Sequence, residues 1–541
     1  MTRPPYGHKC LAMSWPGGLG GGQMTSAGKD VPAGSAPENP RRANPPLQRR
    51  VVSRLLGPGA DEAAQKKLVY SIEGRQAVLV ELNLPAGALA EDMREQFRSV
   101  FHAAFEHESE QPPEPLPISS HYMRCLLTPD EVTKLARQDA GAPGDAAPAA
   151  RTIYRIWPDF RVHAHIDRSL TTIKSDAAAR TYGTSGDGII WAVVDSGIDK
   201  AHPHFAGGTV TDPSVAHLHR DFTGLLAADG KTNDDPAAAL ADPFGHGTHV
   251  AGIIAGAAPA DLGKILIATN EPTSGDLPSW ANRTLAPGRT LSGMAPKAHL
   301  VSLRVLDAGG NTASSVVIEA LAQVRAFNAD GRQLVIHGVN LSIGCDWYPD
   351  EFAAGQSPLC RELDLLVGTG VVAVVSAGNA GAGGTLSGGS GDVFGRLSTI
   401  TDPGNAIHAI TVGSTHRSQP HTYGVTYTSS KGPTLDGRPK PDLLAPGERI
   451  TSAGTGALIN GIGPLQSNAE GIARYVEDSG TSMAAPHVSG AIAAFLSVRD
   501  EYIGQPDEVK RLFTANATSL GRHEFFQGTG LIDLMRVLSN T

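Results

Sequence analysis

The sequence predicts an α/β fold with a doubly wound, mostly parallel sheet, preceded by a small α+β unit. From Ile189 onward, short apolar runs recur without alternating polar residues, which is typical of strands buried on both faces. Segments with helical spacing lie between these runs, and that alternation indicates a parallel sheet. Before about Arg168 the pattern is shorter, strand–helix–strand–helix–strand, and indicates a separate α+β sandwich.

The length and charge of the chain limit the classes of function that it can have. At 541 residues the chain is too long for one ordinary domain, and 40% hydrophobic with 18% charged residues suits a globular protein. The 45 Lys and Arg residues against 54 Asp and Glu residues give a net charge of −9. This balance argues against nucleic acid or an anionic membrane as the main partner. No apolar run is long enough to span a bilayer.

Residues 1–50 are rich in Gly, Pro, Ala and Arg and are predicted to be disordered. They contain no apolar core of the signal-peptide type. We therefore expect a cytoplasmic protein, or a secreted one if the start site is misassigned. Met24 is an alternative start, which N-terminal sequencing excludes if it recovers any peptide from residues 1–23 of natively expressed protein.

Four cysteines in a chain of this length do not make a disulfide framework. Cys345 and Cys360 bracket one loop. They either pair, if the compartment is oxidising, or remain two free thiols, and the sequence leaves both alternatives open.

The small unit covers about residues 51–167. A capping box, Thr128-Pro129-Asp130-Glu131, marks the start of its second helix, because Thr and Glu three residues apart can bond each other's backbone N–H. The predicted elements are a strand at Gln76–Leu82, a helix at Leu89–Glu106, a strand at Tyr122–Leu127, a helix from Pro129 and an extended stretch at Ile153–Val162.

The larger unit covers residues 168–541. In a doubly wound sheet the site lies beyond the carboxyl ends of the strands, and Asp195 ends the first predicted strand. The predicted strands are 189–194, 300–306, 334–343, 371–376 and 407–412, and the predicted helices are 246–256, 314–327 and 361–367.

Ser482 follows two small residues and precedes the apolar run 491–496, which predicts a buried helix with Ser482 at its N-terminus. Pro486 is tolerated only near the start of a helix, where few backbone N–H groups are needed. A serine there lies in the positive field of the helix end, beside N–H groups that can hold a developing oxyanion. Taken alone, such a serine is more commonly an N-cap.

Asp195, His246 and Ser482 occur in that order, each within a distinctive motif. A serine hydroxyl becomes a good nucleophile when a histidine takes its proton, and a carboxylate can hold that histidine in the right tautomer. The motifs are Val193-Val194-Asp195-Ser196-Gly197, Gly245-His246-Gly247-Thr248-His249 and Gly480-Thr481-Ser482-Met483-Ala484.

These motifs, in this order, resemble those of the subtilisin-like serine peptidases, the subtilases, over about residues 189–534. The resemblance implies that His246 is the general base and then the general acid, and that Asp195 orients it. It also implies that Asn379 donates its side-chain amide to the oxyanion. The implied substrate-binding residues form two facing walls, Ser342, Ile343 and Gly344 on one side and Ser376, Ala377 and Gly378 on the other.

The unit at 51–167 resembles the inhibitory prodomain of the family, a ferredoxin-like chaperone and tight-binding inhibitor. The resemblance implies that the linker after it lies in the cleft and is cut by the enzyme itself. The alternative is a permanent N-terminal accessory domain.

The sequence predicts no metal ligands, and the chemistry requires no cofactor. His249 follows His246 by three residues, but the zinc motif needs a longer spacing and an acidic residue where Gly247 stands, so His249 is interpreted as structural. Secreted subtilases often bind calcium through an acidic residue soon after the catalytic Asp. Because His204 stands at that place, a calcium site of that type is not expected.

The sequence thus predicts a serine endopeptidase that acts on protein or peptide substrates through an acyl-enzyme on Ser482. Its own N-terminal unit is the expected intramolecular inhibitor, with no nucleic-acid or membrane partner. One alternative is a transpeptidase or cyclase on the same scaffold, in which an amine resolves the acyl-enzyme. Another is a catalytically silent peptide-binding module, which has no use for a His base beside the serine.

The residue preference at the cleavage site is left open. The pocket floor is expected within residues 380–402. Trp347 and Tyr348, in the insert between Cys345 and Cys360, either contact substrate or pack the loop.

Overall fold

The computed structural model describes residues 51–541, apart from 54–55, 57–68, 70, 73, 85–88, 109–110, 141–150, 160, 165–171, 228–229, 261, 263–264, 272–278, 286–290, 347–350, 383–394 and 461–472. The described residues belong to one compact unit, 46–541. The predicted disorder of residues 1–50 and the predicted roles of Trp347 and Tyr348 lie outside the described residues. The predicted boundary at residues 167/168 also falls outside them and stays a prediction. No helix in the described ranges is long and apolar enough to cross a membrane.

The N-terminal part of the described chain is an antiparallel sheet with two helices. Its elements, in chain order, are β1 (Ser71–Ile72), β2 (Arg75–Leu82), α1 (Ala90–Phe105), β3 (Leu116–Pro117), β4 (Tyr122–Leu127), α2 (Pro129–Ala140) and β5 (Ile153–Pro158). Strand β2 pairs with β1, β4 and β5, and β3 pairs with β4, all antiparallel. The predicted order of strands and helices in this part is confirmed.

Local sequence signals explain the two helices. Met93, Phe97 and Phe101 recur every fourth residue and are buried on one side of α1. The capping box at the start of α2 is confirmed, because Thr128 Oγ1 accepts the N–H of Glu131 at 3.3 Å and Glu131 Oε2 accepts the N–H of Thr128 at 2.7 Å.

The rest of the described chain alternates strands and helices. The strands are β6 (Arg161–Ala164), β7 (Ile190–Asp195), β8 (Arg220–Asp221), β9 (Leu266–Glu271), β10 (Ser279–Thr284), β11 (His299–Arg304), β12 (Asn311–Ala313), β13 (Gly338–Leu341), β14 (Ile343–Gly344), β15 (Val372–Ser376), β16 (Ile410–His416), β17 (Leu443–Glu448), β18 (Ile450–Ala453) and β19 (Tyr475–Asp478).

The helices in the same stretch differ widely in length, from single turns to a long central helix. They are α3 (Ser175–Tyr182), α4 (Pro236–Ala239), α5 (His246–Ile254), α6 (Ser314–Phe327), α7 (Pro358–Gly368), α8 (Pro420–Tyr423), α9 (Gly456–Asn460), α10 (Thr481–Leu496), α11 (Pro506–Ala515), α12 (Glu524–Gln527) and α13 (Leu534–Ser539).

Seven strands form the central sheet in the order β17-β16-β15-β13-β7-β11-β8. Every pairing between neighbours in it is parallel. The predicted doubly wound parallel sheet is therefore confirmed. Later strands flank β7 on both sides, β11 and β8 on one and β13, β15, β16 and β17 on the other. Asp195, the last residue of β7, therefore lies at the switch point where α/β folds form their sites.

Side chains of β7 alternate between two hydrophobic cores, one on each face of the sheet. Trp191 and Val193 belong to the core that contains α5 and α10, whereas Ala192 and Val194 belong to the core that contains α6 and α7. All of α10 is buried, from Thr481 to Leu496. A strand covered on both faces needs apolar residues at every position, which explains the continuous apolar run.

Two predicted strands begin three or more residues later than expected. The run 334–343 forms a strand only from Gly338, as β13. The other is the run 407–412. The apolar run suggested a start at Ile407, but β16 begins at Ile410. The N–H groups of Ile407 and His408 donate instead to the carboxylate of Asp364 in α7, at 3.2 and 2.8 Å. A carboxylate thus takes the donors that a neighbouring strand would have used.

Two smaller sheets flank the central one. The insert after α5 supplies β9 and β10, which extend the β18–β19 hairpin to a four-stranded sheet in the order β10-β9-β19-β18. Strand β19 leads directly into α10. The other small sheet is antiparallel, with β6 between β12 and β14.

Candidate active site

The first predicted pair meets at the carboxyl end of β7. His246, the first residue of α5, places Nδ1 2.7 Å from Oδ1 of Asp195, and both side chains are buried. The same Oδ1 accepts the N–H of Ser196 at 2.8 Å. A carboxylate in this position makes Nδ1 the protonated nitrogen and leaves Nε2 as the basic atom of the ring.

A buried carboxylate, which the sequence interpretation missed, holds the His246 turn. Asp242 accepts the N–H of Gly245 at 2.7 Å, the N–H of Thr248 at 2.8 Å and the Ser196 hydroxyl at 2.8 Å. Burial raises the pKa of Asp242. Its place in the turn before α5 was a usable signal, because Asp is favoured at helix N-termini.

Glycine is required beside His246. A Cβ on Gly247 would lie 2.3 Å from the carbonyl oxygen of Gly197. The helix can approach the end of β7 this closely only without a side chain at that position.

Ser482 lies in the first turn of α10, as the sequence predicts, and is fully buried. Within the described residues, its hydroxyl donates one hydrogen bond, to the carbonyl oxygen of Ser342 at 3.0 Å, rather than to His246. The structure therefore brings Asp195 and His246 together directly, and it places the Ser482 hydroxyl against the predicted substrate-binding wall.

Asn379 lies just after β15 and is fixed by the residue before Ser482. Its Oδ1 accepts both the N–H and the hydroxyl of Thr481, at 3.0 and 3.1 Å. Because a backbone N–H can only donate, the oxygen of the amide must face Thr481. The Nδ2 amide of Asn379 is thereby left as the donor of this side chain.

The two predicted walls come from adjacent strands of the central sheet. Ser342 follows β13 and leads into β14, which is Ile343 and Gly344. Ser376 ends β15, which pairs with β13, and Ala377 and Gly378 directly follow it. A segment of the predicted floor joins both walls: Thr401 donates its N–H to Ala377 at 3.2 Å, and Asp402 exchanges backbone bonds with Cys345 at 2.8 and 3.2 Å. Residues 383–394 of the predicted floor lie outside the described residues.

An extended segment of the chain itself pairs with one of these walls. In β6, Ala164 pairs with Ile343 and His163 with Gly344, both antiparallel. On its other edge β6 pairs with β12. The wall thus already pairs with a peptide strand by main-chain hydrogen bonds, which is the interaction of β-strand addition.

The N-terminal sheet is anchored on the other side of the central sheet. Asp159, directly after β5, is fully buried and accepts the N–H of Ser315 at 2.8 Å and the hydroxyl of Ser314 at 2.9 Å. Arg361 of α7 donates to Glu81 of β2 at 2.6 Å. The N-terminal part therefore caps α6 and forms an ion pair with α7.

Further contacts join the N-terminal sheet to the insert that precedes α7. The rings of Trp157 and Phe352 meet edge to face at 5.6 Å, and Arg155 donates to the carbonyl oxygen of Glu351 at 2.7 Å.

The open alternative for the cysteines is resolved in favour of thiols. Cys345 and Cys360 are both free and buried. Burial raises the pKa of each thiol well above its ordinary value.

The surroundings of His204 do not fit calcium. Its ring is buried, with Nε2 3.1 Å from the carbonyl oxygen of Gly252 and Nδ1 3.4 Å from the Tyr475 hydroxyl. Burial lowers the pKa of His204 to about 3. Calcium takes several oxygen ligands, and a neutral imidazole surrounded by rings does not supply them.

The second histidine of the helix motif is also enclosed. His249 is buried, and its Nε2 lies 3.1 Å from the carbonyl oxygen of Val476 in β19. Across the described ranges, no group of three His, Cys, Asp or Glu side chains is arranged to hold a metal ion.

The chain is similar to several known serine peptidases. The chain is 28% identical over 366 residues to serine protease AprX of Bacillus subtilis (strain 168), covering 66% of this chain and 68% of that protein. It is 27% identical over 359 residues to subtilisin E of the same strain, covering 66% and 67%. It is 29% identical over 397 residues to pyrolysin of Pyrococcus furiosus, covering 65% of this chain and 26% of pyrolysin. The model of the Subtilase family matches residues 186–531, so the chain belongs to the subtilases and is a serine-type endopeptidase.

Proposed function

We propose that the protein hydrolyses peptide bonds through an acyl-enzyme on Ser482, with His246 as the base and Asp195 as its partner. The observation that carries this proposal is the 2.7 Å bond between Asp195 and His246 at the switch point of the sheet. The position of Ser482 at the N-terminus of α10, next to the oriented amide of Asn379, supports it further.

The reaction begins with a rotation. The Ser482 side chain turns from the Ser342 carbonyl towards His246, a change between staggered rotamers. His246 Nε2 then takes the hydroxyl proton while the oxygen attacks the carbonyl carbon of the substrate, and Asp195 stabilises the imidazolium that forms. The oxyanion accepts hydrogen bonds from Asn379 Nδ2 and from the backbone N–H of Ser482.

The acyl-enzyme then forms and is released. The tetrahedral intermediate collapses, the C–N bond breaks, and the leaving amine takes its proton from His246. Water attacks the resulting ester with His246 again as the base, which returns the hydroxyl to Ser482 and yields a carboxylic acid. Every proton moves through one imidazole, so the mechanism needs no cofactor.

The substrate binds as an extended strand along Ser342–Gly344. The pairing of β6 with β14 supports this, because it is the same main-chain interaction that a substrate would make. Such pairing places little demand on side-chain identity, so proteins and peptides of varied sequence can bind.

We further propose that the N-terminal part inhibits the enzyme until the chain cuts itself. Its support is the docking of β6 on the cleft wall together with the contacts of Asp159 and Glu81 with the peptidase helices. Since Ala164 pairs with Ile343, the residue next to Ser342, we expect the cut in the segment that directly follows β6, within residues 165–171.

Intact-mass spectrometry with a serine-directed fluorophosphonate tests both proposals. We expect the wild type to lose an N-terminal fragment that ends within 165–171 and to take up one probe, whereas Ser482→Ala does neither. A matched control is Ser302→Ala, because Ser302 is equally buried and also donates to a backbone carbonyl, at 2.7 Å. It should behave as the wild type.

The outcomes separate the two proposals. Probe uptake without the cut would keep the catalytic proposal and make the N-terminal part a permanent domain. If the wild type takes up no probe and cleaves no unfolded protein substrate, the proposed role of Ser482 is wrong.

A further inference from the structure

The carbonyl group of Ser482 lacks its usual partner inside the helix. In an α-helix the carbonyl of residue i accepts the N–H of residue i+4, which for Ser482 is Pro486. Proline has no N–H. The sequence interpretation placed Pro486 close enough to the helix start for this to be harmless. In the structure α10 begins at Thr481, so Pro486 removes a bond from the residue that carries the proposed nucleophile.

A side chain from the substrate-binding wall replaces the missing bond. The hydroxyl of Ser342 donates to the carbonyl oxygen of Ser482 at 2.6 Å. Both residues are fully buried. A buried carbonyl left without a donor loses its bonds to water and gains none in return, so this bond is a strong constraint.

Two more side chains fix the direction of that hydroxyl. The Ser489 hydroxyl donates to Asn340 Oδ1 at 2.8 Å, and Asn340 Nδ2 donates to Ser342 Oγ at 2.9 Å. Because Ser342 Oγ accepts from an amide, its own proton is directed to Ser482. Asn340 and Ser489 are also fully buried.

This chain of bonds ties β13 to α10 at two points. Ser489 lies two helical turns after Ser482 and on the same side of α10, because seven residues make about two turns. The strand end that binds the substrate backbone is thus locked to the helix end that carries the nucleophile.

We propose that Ser342 is a positioning residue, whose hydroxyl holds the first turn of α10 at the correct distance from the bound substrate. The inference rests on the proposed role of Ser482. The hydroxyl bonds the carbonyl of Ser482, while the substrate pairs with the backbone of the wall. Its loss should therefore lower kcat and leave KM nearly unchanged.

The test is a double-mutant cycle of Ser342→Ala and Pro486→Ala in the full-length chain. Misplacement of a reacting group by about 1 Å can cost about 10²-fold, so we expect Ser342→Ala to lower kcat by about 10–100-fold with KM changed less than about twofold. Pro486→Ala supplies the N–H that the carbonyl of Ser482 lacks. In the double variant we therefore expect kcat to recover by at least about fivefold over Ser342→Ala.

Rates are measured with a chromogenic peptide substrate and divided by the number of sites that react with the fluorophosphonate. Only folded, reactive sites are then counted. If Ser342 had a merely structural role, Ser342→Ala would lower the number of reactive sites and leave kcat per site unchanged. Adding an N–H at position 486 would then not restore the lost sites. The control is again Ser302→Ala, for which we expect kcat and KM within about twofold of wild type.

Ser489→Ala keeps the proposal testable even if Ser342→Ala does not fold. It removes the bond from Ser489 to Asn340, which acts on Ser482 only through Asn340 and Ser342. We therefore expect kcat to fall, but less than in Ser342→Ala, and again at constant KM. Unchanged kcat in Ser342→Ala or in Ser489→Ala, or no recovery in the double variant, overturns the proposal. A wild type that does not react with the fluorophosphonate instead overturns the proposed function.

Discussion

Asp159 caps the helix that begins at Ser314, although the two lie on opposite sides of the predicted domain boundary. Its carboxylate accepts the N–H of Ser315 at 2.8 Å in a fully buried position, and its Oδ2 lies 3.4 Å from Nε of Arg124, which is buried as well. The Asp159 carboxylate thus binds the N-terminus of α6 in the larger unit and the guanidinium of Arg124 in the N-terminal part. Both tasks favour a negative charge.

Removal of this carboxylate should destabilise the full chain. In the Ser482→Ala background, which prevents self-digestion, we expect Asp159→Ala to lower the free energy of unfolding by about 2–4 kcal/mol, because a helix cap is lost and Arg124 loses its ion pair. Denaturant unfolding measures this. The control is Asp176→Ala, an exposed partner of Arg180 for which about 0.5 kcal/mol or less is expected. Equal effects of both substitutions would refute the assigned role of Asp159.

Glu319 of α6 should make stability depend on pH. Burial, and repulsion by Glu362, raise the pKa of Glu319 to about 8, against a small opposing effect of Arg94 on α1. The unfolded chain releases this proton near the ordinary value of 4.5, whereas the folded chain retains it. The stability that depends on the proton of Glu319 is therefore fully present below about pH 4.5 and is lost as the pH rises through about 8.

We expect Glu319→Gln to abolish that loss. Both proteins carry Ser482→Ala, and one of them also carries Glu319→Gln. The difference between their free energies of unfolding should change by about 1–3 kcal/mol from pH 4.5 to pH 8.5. Burial lowers the pKa of His121, which gives the opposite slope below about pH 6.5, but it is common to both variants. Glu95→Gln, at an exposed position of α1, is the control. If the unfolding free energies of the proteins with and without Glu319→Gln change in parallel with pH, Glu319 does not titrate in this window.

The sequence could predict those features that local patterns encode. Continuous apolar runs such as 189–194 predict buried strands, because a strand covered on both faces has no polar side. Thr128 and Glu131 predict a helix start, because the two groups that bond each other are three residues apart. Asp195 could be placed at the carboxyl end of the sheet because it ends a predicted strand, and the order of the motifs joined His246 to it.

Contacts between distant segments could not be predicted in this way. Asp159 and Ser315 are 156 residues apart, and Ser342 and Ser482 are 140 apart. Nothing in the residues around Asp159 distinguishes a cap of another element from an exposed turn. Pro486 shows the same limit, because its effect depends on whether a donor from elsewhere reaches the carbonyl of Ser482.

The two buried thiols should be inert in the folded protein. Burial raises the pKa of Cys345 and Cys360 far above 8, so neither forms the thiolate that reacts. We expect iodoacetamide at pH 8 to leave both unmodified in native Ser482→Ala protein and to alkylate both after unfolding, as read by peptide mass spectrometry. Activity of the wild type should not depend on added reductant. Recovery of a Cys345–Cys360 disulfide peptide would contradict the free thiols.

Asn379 should act on the transition state and not on binding. Thr481 holds its Oδ1, so Nδ2 is the group that can reach a developing oxyanion, and the neutral carbonyl of the bound substrate needs it far less. Loss of one such donor costs about 10²–10³ in kcat in subtilisin, and we expect a loss of that size for Asn379→Ala with KM nearly unchanged. Thr481→Ser keeps both donors to Asn379 and serves as the control, with kcat expected within about threefold of wild type. A rise in KM at unchanged kcat would assign Asn379 to substrate binding, and an unchanged kcat/KM would remove it from the site. Thr481→Val loses the hydroxyl donor to Asn379 Oδ1 and retains the N–H donor. If the orientation of the amide matters, its kcat should lie between that of Thr481→Ser and that of Asn379→Ala.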